Sequence, residues 1–200
     1  MKKPIITCVT TLAIALAIAL PRAAHADVVT PPPVPDNIQV PATSEAFLLG
    51  RGVGTQNYVC LPSASVGRVA WTLFTPEATL FNDEGEQLIT HFFAPNPDEN
   101  RIVRVAWQDS RDTSTVYGEV VAPSSDPNFV TPGAIPWLLI RVVGAEAGPN
   151  GGDTLSRTTT FIHRVNTVGG AAPSTGCLIP TDIGRKAFVP YRADYIFYQN

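Results

Sequence analysis

The chain has 200 residues, 44% of them hydrophobic and 16% charged, and a formal net charge of -3. That is enough apolar material for a core and carries no signature of disorder. It offers no basic stripe, so nucleic acid is excluded as an expected partner. The length suits one domain, or two small ones at most.

Lys2 and Lys3 precede an apolar run from Ile5 to Leu20, Pro21 breaks the run, and Ala24-His25-Ala26 places small residues where a signal peptidase reads. This is the layout of a secretory signal peptide over residues 1–26, cleaved before Asp27. The run is shorter than the ~20 residues a membrane helix needs, and no other segment is apolar enough to cross as a helix, so stable membrane insertion is not expected. Cleavage removes Lys2, Lys3 and Arg22 but no acid, which leaves 11 basic against 17 acidic side chains. Lys186 is then the only lysine. Such a surface disfavours phosphate polymers and anionic membranes. The expected location is the periplasm or the extracellular space.

Residues 27–42 carry Pro31, Pro32, Pro33, Pro35 and Pro41. Prolines at that density hold a chain in extended polyproline geometry, so this segment reads as a semi-rigid leader ahead of a single domain over 43–200. A docking site for a proline-recognising partner is the lesser alternative.

The domain shows no helical periodicity. Short runs rich in Val, Ile, Thr and aromatics predict strands at 53–60, 68–74, 78–81, 87–93, 101–107, 115–121, 137–143, 157–166, 187–189 and 195–198. Asn82-Asp83-Glu84-Gly85 reads as a hairpin connection with Gly85 at positive φ. Trp137-Leu138-Leu139-Ile140 is apolar on both faces, which predicts cover on each side of the sheet. Gly50, Gly52 and Gly54 read as a bend or bulge. Nine or ten short strands without helices predict an all-β fold, either an antiparallel sandwich or a closed barrel. Three connections, over 122–134, 144–153 and 167–185, are longer than hairpins and so are expected to be functional or pinned.

Cys8 leaves with the signal, so Cys60 and Cys177 remain. Two cysteines in an exported chain most economically form one disulfide. A redox-active pair would want the thiols close in sequence with lowered pKa values, and nothing in the sequence suggests that.

Candidate chemistry is sparse. His91 alternates with Ile89 and Phe93, and His163 with Phe161 and Val165, so each shares a strand face with apolar side chains. A metal site from both imidazoles and a carboxylate such as Glu77 or Asp109 is one reading; packing histidines with satisfied nitrogens is the commoner role and the expectation. His91 with nearby carboxylates is also the best candidate for hydrolytic or metal-assisted catalysis, although no Gly-x-Ser-x-Gly elbow or His-Glu-x-x-His is present. Trp107, Gln108, Asp109, Arg111 and Asp112 set planar hydrogen-bonding groups beside an indole, as sugar-binding sites do. An ordinary turn ordered by an ion pair of Arg111 with Asp109 or Asp112 is the simpler reading. Asp98-Glu99-Asn100 and Asn150-Gly151-Gly152-Asp153 carry oxygen ligands of the kind calcium uses, but such strings are more often solvated turns. No cofactor is predicted.

A resemblance covers about residues 47–198. It rests on Gly50-Arg-Gly-Val-Gly-Thr-Gln-Asn-Tyr-Val-Cys60, Trp71 with Pro76-Glu77-Ala78-Thr79-Leu80, His91-Phe92, Ala134-Ile135-Pro136-Trp137, Arg164-Val165-Asn166-Thr167, Gly176-Cys177 and Val189-Pro190-Tyr191. Together these resemble the exported bacterial and fungal proteins of domain-of-unknown-function family three-four-five-five. The resemblance implies a secreted domain with both cysteines in its framework, and it brings no catalytic residues. Many members have Gln where this chain has His163, and many have a tryptophan near Asn96-Pro97. Some fungal relatives carry a dehydrogenase label, but the glycines at 50, 52 and 54 have the wrong spacing for a dinucleotide fingerprint. The functional expectation is a binding or structural module, with a glycan or small polar molecule as ligand; an extracellular enzyme and a protein-partner module are the alternatives.

Overall fold

The computed structural model describes residues 29–200. The signal peptide expected over 1–26 lies outside the described residues. Eight strands follow in order: β1 (Glu45–Pro62), β2 (Val69–Phe81), β3 (Gln87–Asn96), β4 (Ile102–Asp109), β5 (Thr115–Ser124), β6 (Trp137–Glu146), β7 (Phe161–Gly169) and β8 (Lys186–Gln199). Each pairs antiparallel with the next, and β8 returns along β1 from Glu45↔Gln199 to Val59↔Lys186. The sheet therefore closes on itself as an up-and-down barrel, which removes its free edges. Among the described residues helix is confined to three 3-10 turns, at Asp36–Ile38, Pro97–Glu99 and Pro180–Asp182, none of them long enough to cross a membrane.

The expected nine or ten strands become eight because two prolines do not end strands. Pro76 joins the runs 68–74 and 78–81 into β2, and Pro190 joins 187–189 to 195–198 within β8. A proline is tolerated in a ladder where one side of its strand is free. The β2–β3 ladder starts only at Ala78↔His91, and the β7–β8 ladder stops at Gly169↔Tyr191. Pro76 and Pro190 both lie just beyond those limits, so each pairs with β1 alone.

The glycine triplet is not a bulge. From Arg51 to Asn57 the register of β1 against β2 is unbroken, and the first irregularity comes at Asn57/Tyr58. Gly50, Gly52 and Gly54 alternate with outward residues and face the barrel interior, where no Cβ fits. A Cβ at Gly52 would lie 2.8 Å from the Tyr195 ring, one at Gly50 2.8 Å from the Leu80 side chain, and one at Gly54 1.9 Å from the Glu77 carbonyl oxygen. Gly50 and Gly52 make room for Leu80 of β2 and Tyr195 of β8, and Gly54 lets the β2 backbone at Glu77–Ala78 come close.

The interior is packed by Leu80, Ile89, Trp107, Val116, Ile140, Ile162, Tyr195 and Phe197, with Leu155 from the β6–β7 connection closing one end. Asp112 holds that connection, accepting from Thr154 N at 2.9 Å, while Ser114 Oγ accepts from Leu155 N at 3.0 Å. A second apolar cluster lies outside the wall, where Trp137, Leu139, Val165, Ile196 and Tyr198 are covered by Ile38, Val34 and Val130. The cover expected on both faces of 137–140 is present: Leu138 and Ile140 point in, Trp137 and Leu139 out.

The leader is thus part of the fold over residues 29–42 and not a detached spacer. Ile38 is fully buried, Asn37 Nδ2 donates to the Pro123 carbonyl at 2.8 Å, and His163 Nε2 donates to the Ile38 carbonyl at 2.7 Å. Burying one isoleucine side chain stabilises by about 1.5–3 kcal/mol, which is enough to hold a proline-stiffened strap. The disulfide between Cys60 and Cys177 is formed, with Cα atoms 5.5 Å apart across 117 residues of sequence. It ties the 170–185 connection to the end of β1, where Gly184 N donates to the Cys60 carbonyl and Cys60 N to the Arg185 carbonyl, both at 2.9 Å.

Candidate functional site

Strand alternation decides which polar groups enter the barrel. On β1 the glycine face continues to Gln56 and Tyr58; on β3 the Ile89 face continues to His91. On β7 the Ile162 face continues to Arg164, and on β8 Tyr191 and Tyr195 alternate with Ala193. These side chains meet in the half of the interior nearer the disulfide.

His91 is buried and stacks on the Trp107 indole, with ring centroids 4.5 Å apart and an interplanar angle of 17°. The Tyr195 ring lies 5.1 Å from it. Nδ1 lies 2.9 Å from the Ala106 carbonyl oxygen, which can only accept, so Nδ1 carries the proton and Nε2 a lone pair. Nε2 has no hydrogen-bond partner among the described residues. Burial pushes the imidazole pKa down to about 3, aided by the Arg164 charge and partly opposed by the Ala106 hydrogen bond, so His91 is neutral.

Arg164 is half-buried, and both its Nε (3.2 Å) and Nη2 (2.9 Å) donate to the Pro136 carbonyl. Among the described residues it makes no ion pair, whereas Arg51, Arg104, Arg111, Arg141, Arg157 and Arg185 all do. Its field reaches Tyr58, His91, Tyr191 and Tyr195. Burial raises the pKa of all three tyrosines, and the guanidinium offsets only part of that, so their hydroxyls stay protonated. The Tyr191 and Tyr195 hydroxyls lie 2.9 Å apart, and Tyr58 donates to the Gly170 carbonyl at 2.7 Å.

Two further donors in this interior lack acceptors. Gln56, 2% exposed, has an amide nitrogen near the Tyr191 hydroxyl but outside hydrogen-bond geometry, and the Trp107 indole N–H is likewise buried without a partner. A buried donor left unmatched costs about 1–3 kcal/mol, and a half-buried cation without a counter-charge costs more. The interior therefore holds two unmatched donors and the Arg164 guanidinium, with one unmatched acceptor, His91 Nε2.

The expected site residues are dispersed. Trp107 is 1% exposed, so it presents no stacking face beside Asp109, Arg111 or Asp112. Gln108 Nε2 donates to Thr115 Oγ1 at 3.2 Å, and the Asp109 carboxylate accepts from Arg111 N (2.7 Å) and Asp112 N (3.1 Å), so the turn is ordered by backbone donors and not by the expected ion pair of Arg111 with Asp109 or Asp112. Burial disfavours the Asp112 carboxylate, but hydrogen bonds from Ser114 and Thr154 outweigh it and hold the pKa far below the usual range. Arg111 is exposed, 3.5 Å from Glu86.

His163 faces away from His91, in the outer cluster, with both nitrogens used: Nε2 on Ile38 and Nδ1 accepting from the Tyr198 hydroxyl at 2.9 Å. The two imidazoles therefore cannot share a metal ion, and no cluster of three metal-binding side chains occurs among the described residues. Neither Glu77 nor Asp109 hydrogen-bonds to His91. The calcium-like strings are committed elsewhere: Asp98 accepts from Ala145 N at 3.0 Å, Glu99 pairs with Arg104 at 2.8 Å, and Asp153 lies 3.8 Å from Arg157.

Arg164, Gln56, Tyr58, Tyr191 and Tyr195 are the residues that sequence reasoning missed. The signal for them is parity: each continues an inward face, so a charged or amide side chain there is interior. Reading it requires the strand bounds that Pro190 and the glycines obscure.

Residues 41–199 match the family model described as Protein of unknown function (DUF3455). No curated protein and no solved structure matches. Since the match spans most of the chain, the protein belongs to the DUF3455 family.

Proposed function

We propose that this domain is an exported binding module that takes a small organic anion into the barrel, against Arg164. The observation that carries the reading is a half-buried guanidinium with no counter-charge beside an orphaned Gln56 amide and neutral tyrosine hydroxyls. An anion there would compensate the charge and accept from donors the protein leaves unmatched. The disulfide is consistent with the oxidising compartment that export provides.

The test is a thermal shift of the oxidised mature protein in benzoate and in benzamide at matched ionic strength. Benzoate raises Tm in proportion to ln(1 + [L]/Kd) and benzamide does not; in Arg164→Met the difference disappears. Equal shifts with both compounds, or a benzoate effect that survives Arg164→Met, would overturn the proposal.

A protein-partner role is favoured by a separate observation. The disulfide-held connection exposes Leu178, Ile179 and Ile183, the first by 68%. Cross-linking with and without Leu178→Ser and Ile179→Ser would reveal such a surface as a complex that both substitutions abolish.

A further inference from the structure

We infer that the anion carries an apolar tail: the ligand class is a monocarboxylate with an aliphatic or aryl chain, head on Arg164 and tail toward the disulfide end of the barrel. This rests on the anion reading above and adds the shape of its ligand.

The two ends of the interior differ. At the end closed by Leu155, the inward side chains Leu80, Ile89, Val116, Ile162 and Phe197 are all fully buried. Toward the other end the same faces continue with apolar residues that remain in contact with solvent. Leu73, opposite Tyr58, is 36% exposed, and Val120, opposite Ile140, is 45%. Phe93 and Leu138, on the His91 and Ile140 faces, are half-buried. Leu138 stands directly opposite Arg164 in the β6–β7 ladder.

The wall also parts here. β2 and β3 are joined only over Ala78–Phe81, so residues 69–77 of β2 have no partner in β3. The 3-10 turn of the β3–β4 hairpin is instead held on β6, where Asn96 Nδ2 donates to the Val143 carbonyl and Asp98 accepts from Ala145 N. Inward-facing apolar groups are exposed where a barrel normally buries them, and one of them, Leu138, stands opposite Arg164, which makes no ion pair among the described residues. The groups around that cation are neutral, which matches a single negative charge and not a phosphate dianion. A short anion would satisfy the guanidinium and leave the apolar rim wet; a tailed one covers both.

Calorimetric titration of the oxidised mature protein with acetate, butyrate, hexanoate, octanoate and 1-octanol tests this. Each added methylene that enters the rim tightens binding about threefold to fourfold, the equivalent of ~0.8 kcal/mol. Octanoate then binds far tighter than butyrate, 1-octanol binds much more weakly than octanoate, and Leu73→Ser weakens octanoate while leaving butyrate unchanged. Affinity that is flat with chain length but absent for 1-octanol overturns the tail and leaves the anion reading standing. Octanol binding as tightly as octanoate overturns the role of Arg164, as does no binding by any carboxylate. None of these arms needs a variant of Arg164 to fold.

Discussion

His91 makes the acid stability of the fold a test of its interior. The imidazole titrates near 6.5 in an unfolded chain and near 3 in the barrel, where burial dominates. Because the folded value is depressed, protons bind the unfolded state more tightly, and stability present at neutral pH is lost as pH falls below 6.5, the loss saturating near 3. Between pH 7 and pH 4.5 this single group removes roughly 2 to 3 kcal/mol. His91→Asn keeps an N–H near the Ala106 carbonyl and removes the titration. Urea unfolding at pH 7, 6, 5 and 4.5 should give a wild-type stability that falls more steeply than that of His91→Asn, the gap widening by that amount. His163, also depressed by burial, contributes equally to both proteins. Parallel pH profiles would refute a buried neutral imidazole at position 91.

Three further outcomes follow from the packing. Gly54→Ala drives a methyl into the Glu77 carbonyl and should cost at least the 1–3 kcal/mol of ordinary overpacking, whereas Gly67→Ala, with open space around it, should cost only about 1 kcal/mol for its positive φ; chemical denaturation distinguishes them. Ile38→Ala should destabilise by about 2–5 kcal/mol and make residues 29–40 sensitive to protease, because the strap loses its anchor on the outer cluster. Reduction of Cys60–Cys177, or the double change to Ser, should lower stability by about 2–5 kcal/mol, read as a shift in the urea midpoint.

The sequence made the class of fold and the cross-link readable because both depend on local signals: β-branched runs, the Asn82–Gly85 turn and two remaining thiols. It counted too many strands because Pro76 and Pro190 look like terminators until one knows that each lies past the end of a neighbouring ladder. It took Gly50, Gly52 and Gly54 for a bend or bulge because what crowds them, Leu80, the Tyr195 ring and the Glu77 carbonyl in turn, comes from other strands. Trp107 and its polar followers are adjacent in sequence, yet the strand turns the indole inward while the turn keeps Arg111 outside. Arg164 drew no notice because a lone arginine in a strand usually faces water, and its inward face is fixed only by pairing with Leu138 and Tyr195.

The central proposal is that the Arg164 guanidinium, half-buried and without an ion pair among the described residues, receives an anion. The most direct measurement follows the Arg164 Nε–Hε resonance, assigned by its absence in Arg164→Lys, during titration of the oxidised protein with octanoate. The account predicts a saturable shift of that resonance, together with shifts of the Gln56 amide and the Trp107 indole N–H. An Arg164 resonance that stays fixed while octanoate moves only surface signals would contradict it.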